Sequence, residues 1–139
     1  FVHLEFFILT ADQEGLGKKG DILGLEVNMR PAGGYTPEMY NYSQETDVYK
    51  IWADMVVFDK NTKPIGNHHF CAFYGRRDGR RYKLDDYEIM TKYGSKMVMR
   101  GRIPDALSGA MANQMYVANF DTEEEMMAFY EDMAATYEG

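Results

Sequence analysis

Ile22-Leu23-Gly24-Leu25-Glu26-Val27-Asn28-Met29-Arg30, stopped by Pro31, decides how the chain is read, because from Leu25 onward apolar and polar side chains alternate. A period of two is the signature of a strand. It sends Glu26, Asn28 and Arg30 to one face and Leu25, Val27 and Met29 to the other, which is expected to be core. Proline cannot donate to a ladder and ends the strand. Upstream, Phe1-Val2-His3-Leu4-Glu5-Phe6-Phe7-Ile8-Leu9 is short and rich in aromatic and branched residues, which predicts a buried central strand. The connection over 11–20 carries Gly15, Gly17 and Gly20 and alternates in charge, as a flexible link does. An antiparallel pair is expected, with a register that a loop of this length does not set.

A carboxylate, an amide and a guanidinium in a row admit two descriptions. In one they line a cleft: Mg²⁺ takes oxygen ligands, usually one or two carboxylates plus phosphate oxygens, and arginine pairs bidentately with phosphate. In the other, Glu26 and Arg30 belong to an ordinary half-exposed strand and make surface ion pairs contributing ~0–1 kcal/mol. Glu5 bears on the choice, because a charge inside an apolar strand is expensive without a partner. The neighbouring strand offers it Glu26, Asn28 and Arg30, while His3 shares its face and either borders the site or simply satisfies the carboxylate. Gly33 and Gly34, in the loop from Pro31 to Pro37, give a permissive backbone that other atoms can approach closely.

The His-Leu-Glu-Phe strand, the Glu-x-Asn-x-Arg strand and the following Pro-x-Gly-Gly together resemble the last two metal-site strands of the ATP-grasp ligases. The branch is similar to the carbamoyl phosphate synthase large subunit and the biotin carboxylase-like proteins. The resemblance covers residues 1 to about 58, since Asp47-Val48-Tyr49-Lys50-Ile51-Trp52-Ala53 looks like the helix that follows these strands. It implies that Glu5, Glu26 and Asn28 are ligands of Mg²⁺ (or Mn²⁺) on ATP. Arg30 would contact a phosphate or the acyl-phosphate intermediate, and Gly33 and Gly34 would border the nucleotide and carboxylate-substrate pocket. The implied activity is ATP-dependent activation of a small carboxylate to an acyl phosphate, followed by attack of an amine or another nucleophile. The family's nucleotide-binding lysines, glycine-rich lid and adenine pocket have no counterpart here. The stretch is therefore expected to supply half a site, inactive by itself, with N-terminal subdomains elsewhere in a longer parent. A chain that opens at Phe1, inside a strand, carries the same expectation.

Further along, Val48, Ile51, Trp52, Met55 and Val56 keep the three-and-four spacing of an amphipathic helix from Thr46 or Asp47 to about Asp59, with Trp52 in the core. Strands are expected over 68–74, 96–103 and 111–120, and a short helix over 85–93 ended by Gly94. Asp121 as N-cap with Glu124 three residues on predicts a final helix with a stripe of Met126, Met127, Tyr130, Met133, Ala134 and Tyr137. Arg76, Arg77, Arg80 and Arg81 around Asp78-Gly79 suggest a solvated hairpin tip, ahead of a contact with a phosphate-bearing ligand or a partner subunit. His68 and His69 are expected on a strand with opposite directions, Asn119 and Asp121 as turn and cap residues, and Cys71 as an inert buried thiol. The class is α+β: an antiparallel sheet with packed helices. The domain reading is 1–59 as the end of an ATP-grasp catalytic domain and 60–139 as a C-terminal α+β extension.

Composition bounds the rest. The chain has 139 residues, 45% hydrophobic and 27% charged, with 15 basic and 22 acidic side chains giving −7. That is one ordinary globular length with a field that repels polyphosphate backbones and anionic lipid, so neither nucleic acid nor membrane is an expected partner. A single cysteine and no zinc-like spacing point to a reducing compartment, the cytoplasm. Eleven methionines fall mainly at core-like helical positions. The competing functional class is a non-catalytic α+β binding or oligomerisation module, and exposed strand edges favour homo-oligomers under either description.

Overall fold

Backbone hydrogen bonding sorts the strands into two separate antiparallel sheets in the computed structural model, which describes residues 1–137. The elements run β1 (His3–Ile8), β2 (Ile22–Asn28), α1 (Thr36–Gln44), α2 (Val48–Phe58), β3 (Phe70–Arg76), α3 (Asp86–Tyr93), β4 (Met97–Arg102), α4 (Asp105–Met111), β5 (Gln114–Phe120) and α5 (Glu123–Ala134). The chain is α+β, and contacts divide it into two units. One comprises Phe1–Pro37 and Val48–Lys63; the other comprises Glu38–Asp47 and the residues from Pro64 on. Among the described residues no helix is long and apolar enough to cross a membrane.

In the first unit β1 and β2 form a two-stranded ribbon in the register His3↔Asn28, Leu4↔Val27 and Glu5↔Glu26, with a bulge between Glu5 and Phe6. The connection is not the flexible link its glycines suggest. Lys19 N donates to Asp12 Oδ1 (2.9 Å), Lys18 N donates to Asp21 Oδ2 (2.8 Å), and Leu9 exchanges backbone bonds with Gly20 and Asp21. Gly20 takes φ +93, a conformation that side-chain-bearing residues rarely adopt. The ribbon is also not a buried central pair: Leu4, Phe6, Phe7, Leu25, Val27 and Met29 are all exposed. Two strands cannot cover each other's faces, so the alternation survives without a core behind it.

Helix α2 keeps the predicted spacing, but only one edge of its stripe is covered. Val48 and Ile51 are buried, whereas Trp52 is 42% exposed and Val56 72%. The buried edge continues into a charged residue, Asp54, whose carboxylate takes Lys50 Nζ at 2.8 and 2.9 Å and the Thr62 hydroxyl. Hydrogen bonds from Lys50 and then Thr62 hold Asp54 below its ordinary pKa, which is what allows an ionised carboxylate at a buried helix position.

In the second unit β5 lies between β3 and β4 and is antiparallel to both, so β3 and β4 run parallel to each other. With α3 connecting them, this is a split β-α-β arrangement. Phe70, Ala72 and Tyr74 of β3 face Phe120, Ala118 and Tyr116 of β5 on one side of the sheet. Ile89 and Tyr93 of α3 and Phe129 and Met133 of α5 close the core over that side. Phe129 is fully buried and meets Tyr93 edge-on, with ring centroids 5.1 Å apart.

Several local expectations shift by a residue or an element. The cap of α5 is Thr122, which accepts from Glu125 N at 3.2 Å; Asp121 instead binds Lys96 Nζ at 2.6 Å. Phe129, outside the predicted stripe, is as fully buried as Met133 within it, while Met127 and Tyr137 are exposed. Asp85 and Glu88 form a full capping box at α3 that the sequence reading passed over. Helix α1 begins at the end of the Pro31–Pro37 loop and fills a stretch for which no element is expected, although Pro37 in its first turn and Glu38 beside it are ordinary helix-start signals. The 104–110 connection contains α4. His68 and His69 precede β3 rather than lying on it, and Asn119 sits in β5, where its amide donates to Tyr42 O at 2.9 Å. Arg76 belongs to β3 and is buried, not part of a solvated tip; β3 makes no hairpin with the segment after it.

Candidate functional site

The register of the first unit assembles a polar patch from two strands. Residues opposite each other in an antiparallel pair share a face, so Glu5 and Glu26 stand side by side, and His3 and Asn28 stand side by side two residues away on that face. Asn28 Nδ2 donates to Glu26 Oε1 at 2.5 Å, and His3 Nε2 lies 2.8 Å from Glu5 Oε1. The partner of Glu5 is thus its own-strand neighbour, not a residue of β2. Glu5 is also less buried than an apolar strand suggests, with its side chain 43% exposed. His3 Nδ1 is buried without a hydrogen-bond partner.

Arg30 lies beyond the end of β2, where its Nη1 donates to Pro31 O at 3.0 Å. The structure therefore brings Glu5, Glu26 and Asn28 together and leaves Arg30 adjacent in sequence but outside the ladder. Beyond its chain neighbours Gly33 has no atom within 4 Å of where a Cβ would stand, so there is open space beside its backbone, and Gly34 takes φ +63.

Two carboxylates directly opposite each other on a ladder repel, and a cation between them would relieve this. Their donors are oxygens, the type that Mg²⁺ or Mn²⁺ accepts, and they are too few to enclose an ion. Among the described residues no group of three or more His, Cys, Asp or Glu side chains is placed to hold a metal by itself. A magnesium ion bound by one or two carboxylates and completed by phosphate oxygens and water fits such a partial set.

A second concentration of charge, the arginine cluster around Asp78-Gly79, proves to border a cavity rather than a solvated tip. Arg76, Tyr82, Gln114 and Tyr116 line a cavity in the second unit of about 460 Å³. The signal was the alternation of Phe70, Ala72, Tyr74 and Arg76, which puts the arginine on the core-facing side as soon as the strand is carried to residue 76. The Cys71 thiol, by contrast, is pushed up to about 11 by burial, which suits an inert cysteine.

No family model matches the chain, and no curated protein or solved structure matches it either.

Proposed function

We propose that the chain supplies the metal and phosphate face of an ATP-dependent, carboxylate-activating ligase of the ATP-grasp type, similar to carbamoyl phosphate synthase. The observation that carries this reading is the direct pairing of Glu5 with Glu26, with Asn28 hydrogen-bonded beside them. In this reading Glu5, Glu26 and Asn28 hold Mg²⁺ or Mn²⁺ on the ATP phosphates, and the ion neutralises phosphate charge when bound. Arg30 stabilises the transferring phosphoryl group or the acyl phosphate, and the open backbone at Gly33 and Gly34 borders the substrates. Phosphoryl transfer depends chiefly on positioning and charge neutralisation, so a few oxygens and a guanidinium are a substantial share of such a site. The lysines and lid that grip the nucleotide in that family belong to N-terminal subdomains of a longer parent acting in the cytoplasm, and the 139 residues alone turn nothing over.

Two measurements test it. Mn²⁺ titrated into the chain without nucleotide is expected to bind weakly, as read from loss of its free electron paramagnetic resonance signal, and Glu26→Gln is expected to weaken that binding about tenfold; Mg-ATP is expected to bind the 139 residues poorly. In the parent protein the same substitution is expected to abolish carboxylate-dependent ADP formation. A near wild-type rate in that variant overturns the ligand assignment.

The exposed apolar residues of the first unit, among them Phe6, Phe7, Val27 and Met29, favour a second reading, a non-catalytic binding or oligomerisation module. A concentration-dependent dimer by sedimentation, together with no metal binding, selects that reading.

A further inference from the structure

Arg76 closes β3 on the face that packs the core of the second unit, opposite Gln114 of β5, and it is only 4% exposed. Its Nε donates to Met133 O at 3.2 Å and its Nη1 to Leu84 O at 2.6 Å. The guanidinium carbon lies 4.3 Å from the centre of the Tyr82 ring and 5.9 Å from that of Tyr116. No described carboxylate pairs with it, and its Nη2 is buried without a hydrogen-bond partner. Burial pushes this guanidinium below its ordinary range, and the nearby tyrosines and Asp86 offset that only in part. Capping the carboxyl end of α5 accounts for Nε alone, and the Leu84 carbonyl for Nη1. Both N–H groups of Nη2 are left without an acceptor among the described residues.

The cavity beside it carries Arg80 and Arg81 on its rim, again with no described carboxylate partner. The acidic residues of the same rim are already occupied. Asp78 takes both guanidinium nitrogens of Arg102 at 2.7 and 2.6 Å, Asp86 takes Arg100 at 2.7 and 2.6 Å, and Asp85 caps α3. Among the described residues lining the cavity, four arginines face three aspartates, two of which are already paired with Arg100 and Arg102, so the balance is positive in a chain whose total charge is −7. At about 460 Å³ the space falls within the usual range for small-molecule sites and exceeds what one phosphate ion fills.

We infer that this cavity binds a small, multiply charged oxyanion, one bearing adjacent phosphate or carboxylate groups, with Arg76 at its floor and Arg80 and Arg81 at its mouth. Planar guanidinium groups recognise such oxygens in pairs, and the tyrosine rings hold the buried arginine in a fixed orientation. The site is built entirely from the second unit and is independent of Glu5, Glu26 and Asn28.

Calorimetric titration of the whole chain with pyrophosphate, and separately with citrate, at constant ionic strength in buffers freed of divalent ions on a chelating resin tests this. With divalent ions removed, metal-dependent phosphate binding at Glu5 and Glu26 cannot contribute. Saturable binding of one equivalent is expected, unchanged in Glu26→Gln and at least tenfold weaker in an Arg80→Gln, Arg81→Gln double variant with an unaltered melting temperature. The tighter of the two probes identifies phosphate or carboxylate as the natural group. Because Arg76→Met could unfold the unit, the rim variant decides. Heats no larger than those of equimolar chloride, affinity untouched by the rim substitutions, or loss of binding in Glu26→Gln each overturn the inference.

Discussion

Glu5 of β1 and Glu26 of β2 are direct cross-strand partners, two carboxylates on one face of a two-stranded ribbon with a histidine and an asparagine as their polar neighbours. Like charges in that position oppose pairing by roughly 0.2–1 kcal/mol. Glu26→Gln, which keeps the shape and removes one charge, is therefore expected to leave the ribbon as stable or more so in EDTA. Amide hydrogen exchange of β1 and β2 reads this. Faster exchange in the variant shows that the opposed carboxylates are not in conflict.

Phe129 anchors the second unit because it is fully buried between the rings of Tyr93 and Phe120. Its replacement by alanine is expected to cost about 3–5 kcal/mol, the range for emptying a buried aromatic site. Urea denaturation with an unchanged slope checks it; Met127→Ala, at an exposed position, is the matched control expected within about 0.5 kcal/mol of wild type.

Gly75 is required by a close approach rather than by its own dihedral angles. A Cβ there would stand 2.5 Å from the Met111 carbonyl oxygen and 3.0 Å from the Ala112 Cβ. Backbone, not a flexible side-chain end, would have to move. Gly75→Ala is expected to destabilise the unit by about 1–3 kcal/mol, seen as a lower melting temperature, while Gly79→Ala, with open space but φ +81, tests the strain of positive φ alone.

Acid sensitivity of the second unit follows from its arginine and lysine pairs. Asp86 is held below its ordinary pKa first by its hydrogen bonds to Arg100, Asp78 by those to Arg102, and Asp121 by that to Lys96. A carboxylate depressed in the folded state contributes stability that is complete above the ordinary range near ~4 and is lost as the pH falls through the depressed value. Stability is thus expected to be flat from neutral pH down to about 4 and to fall below it. Arg100→Ala should remove part of the neutral-pH stability and flatten the acid limb, which denaturation curves across pH will show.

Cys71, with its thiol pushed up to about 11, is almost entirely protonated at pH 8. Its reaction with a disulfide reagent is expected to be at least about tenfold slower than that of the urea-unfolded chain. Equal rates mean that the site opens freely.

Much of this molecule can be read along the chain. The period-two run at 25–30 and the aromatic run before it mark the ribbon, and the three-and-four spacing after Asp47 marks α2. The Met-rich stripe marks α5 to within a residue or two of its cap. Where reading along the chain fell short, the cause is identifiable. Phe129 lies one helical position aside from the stripe of methionines and tyrosines that the spacing picks out. Helix α1, with its tyrosines and polar residues, offers no clean apolar stripe. Trp52 shares the α2 stripe yet stays exposed, because periodicity tells which residues share a face but not whether that face is covered.

The amino-acid sequence on its own determined which side chains share a strand face or a helix stripe, because those follow from local backbone geometry. It also determined that Glu26 and Asn28 project together. Only the tertiary structure decided that Glu5 meets Glu26, since pairing register depends on how the 9–21 connection closes through its own backbone and aspartate hydrogen bonds. Burial of Arg76 against Tyr82 and Tyr116 was decided in the same way. It depends on segments separated by up to 57 residues meeting around one side chain, and no local pattern records that encounter.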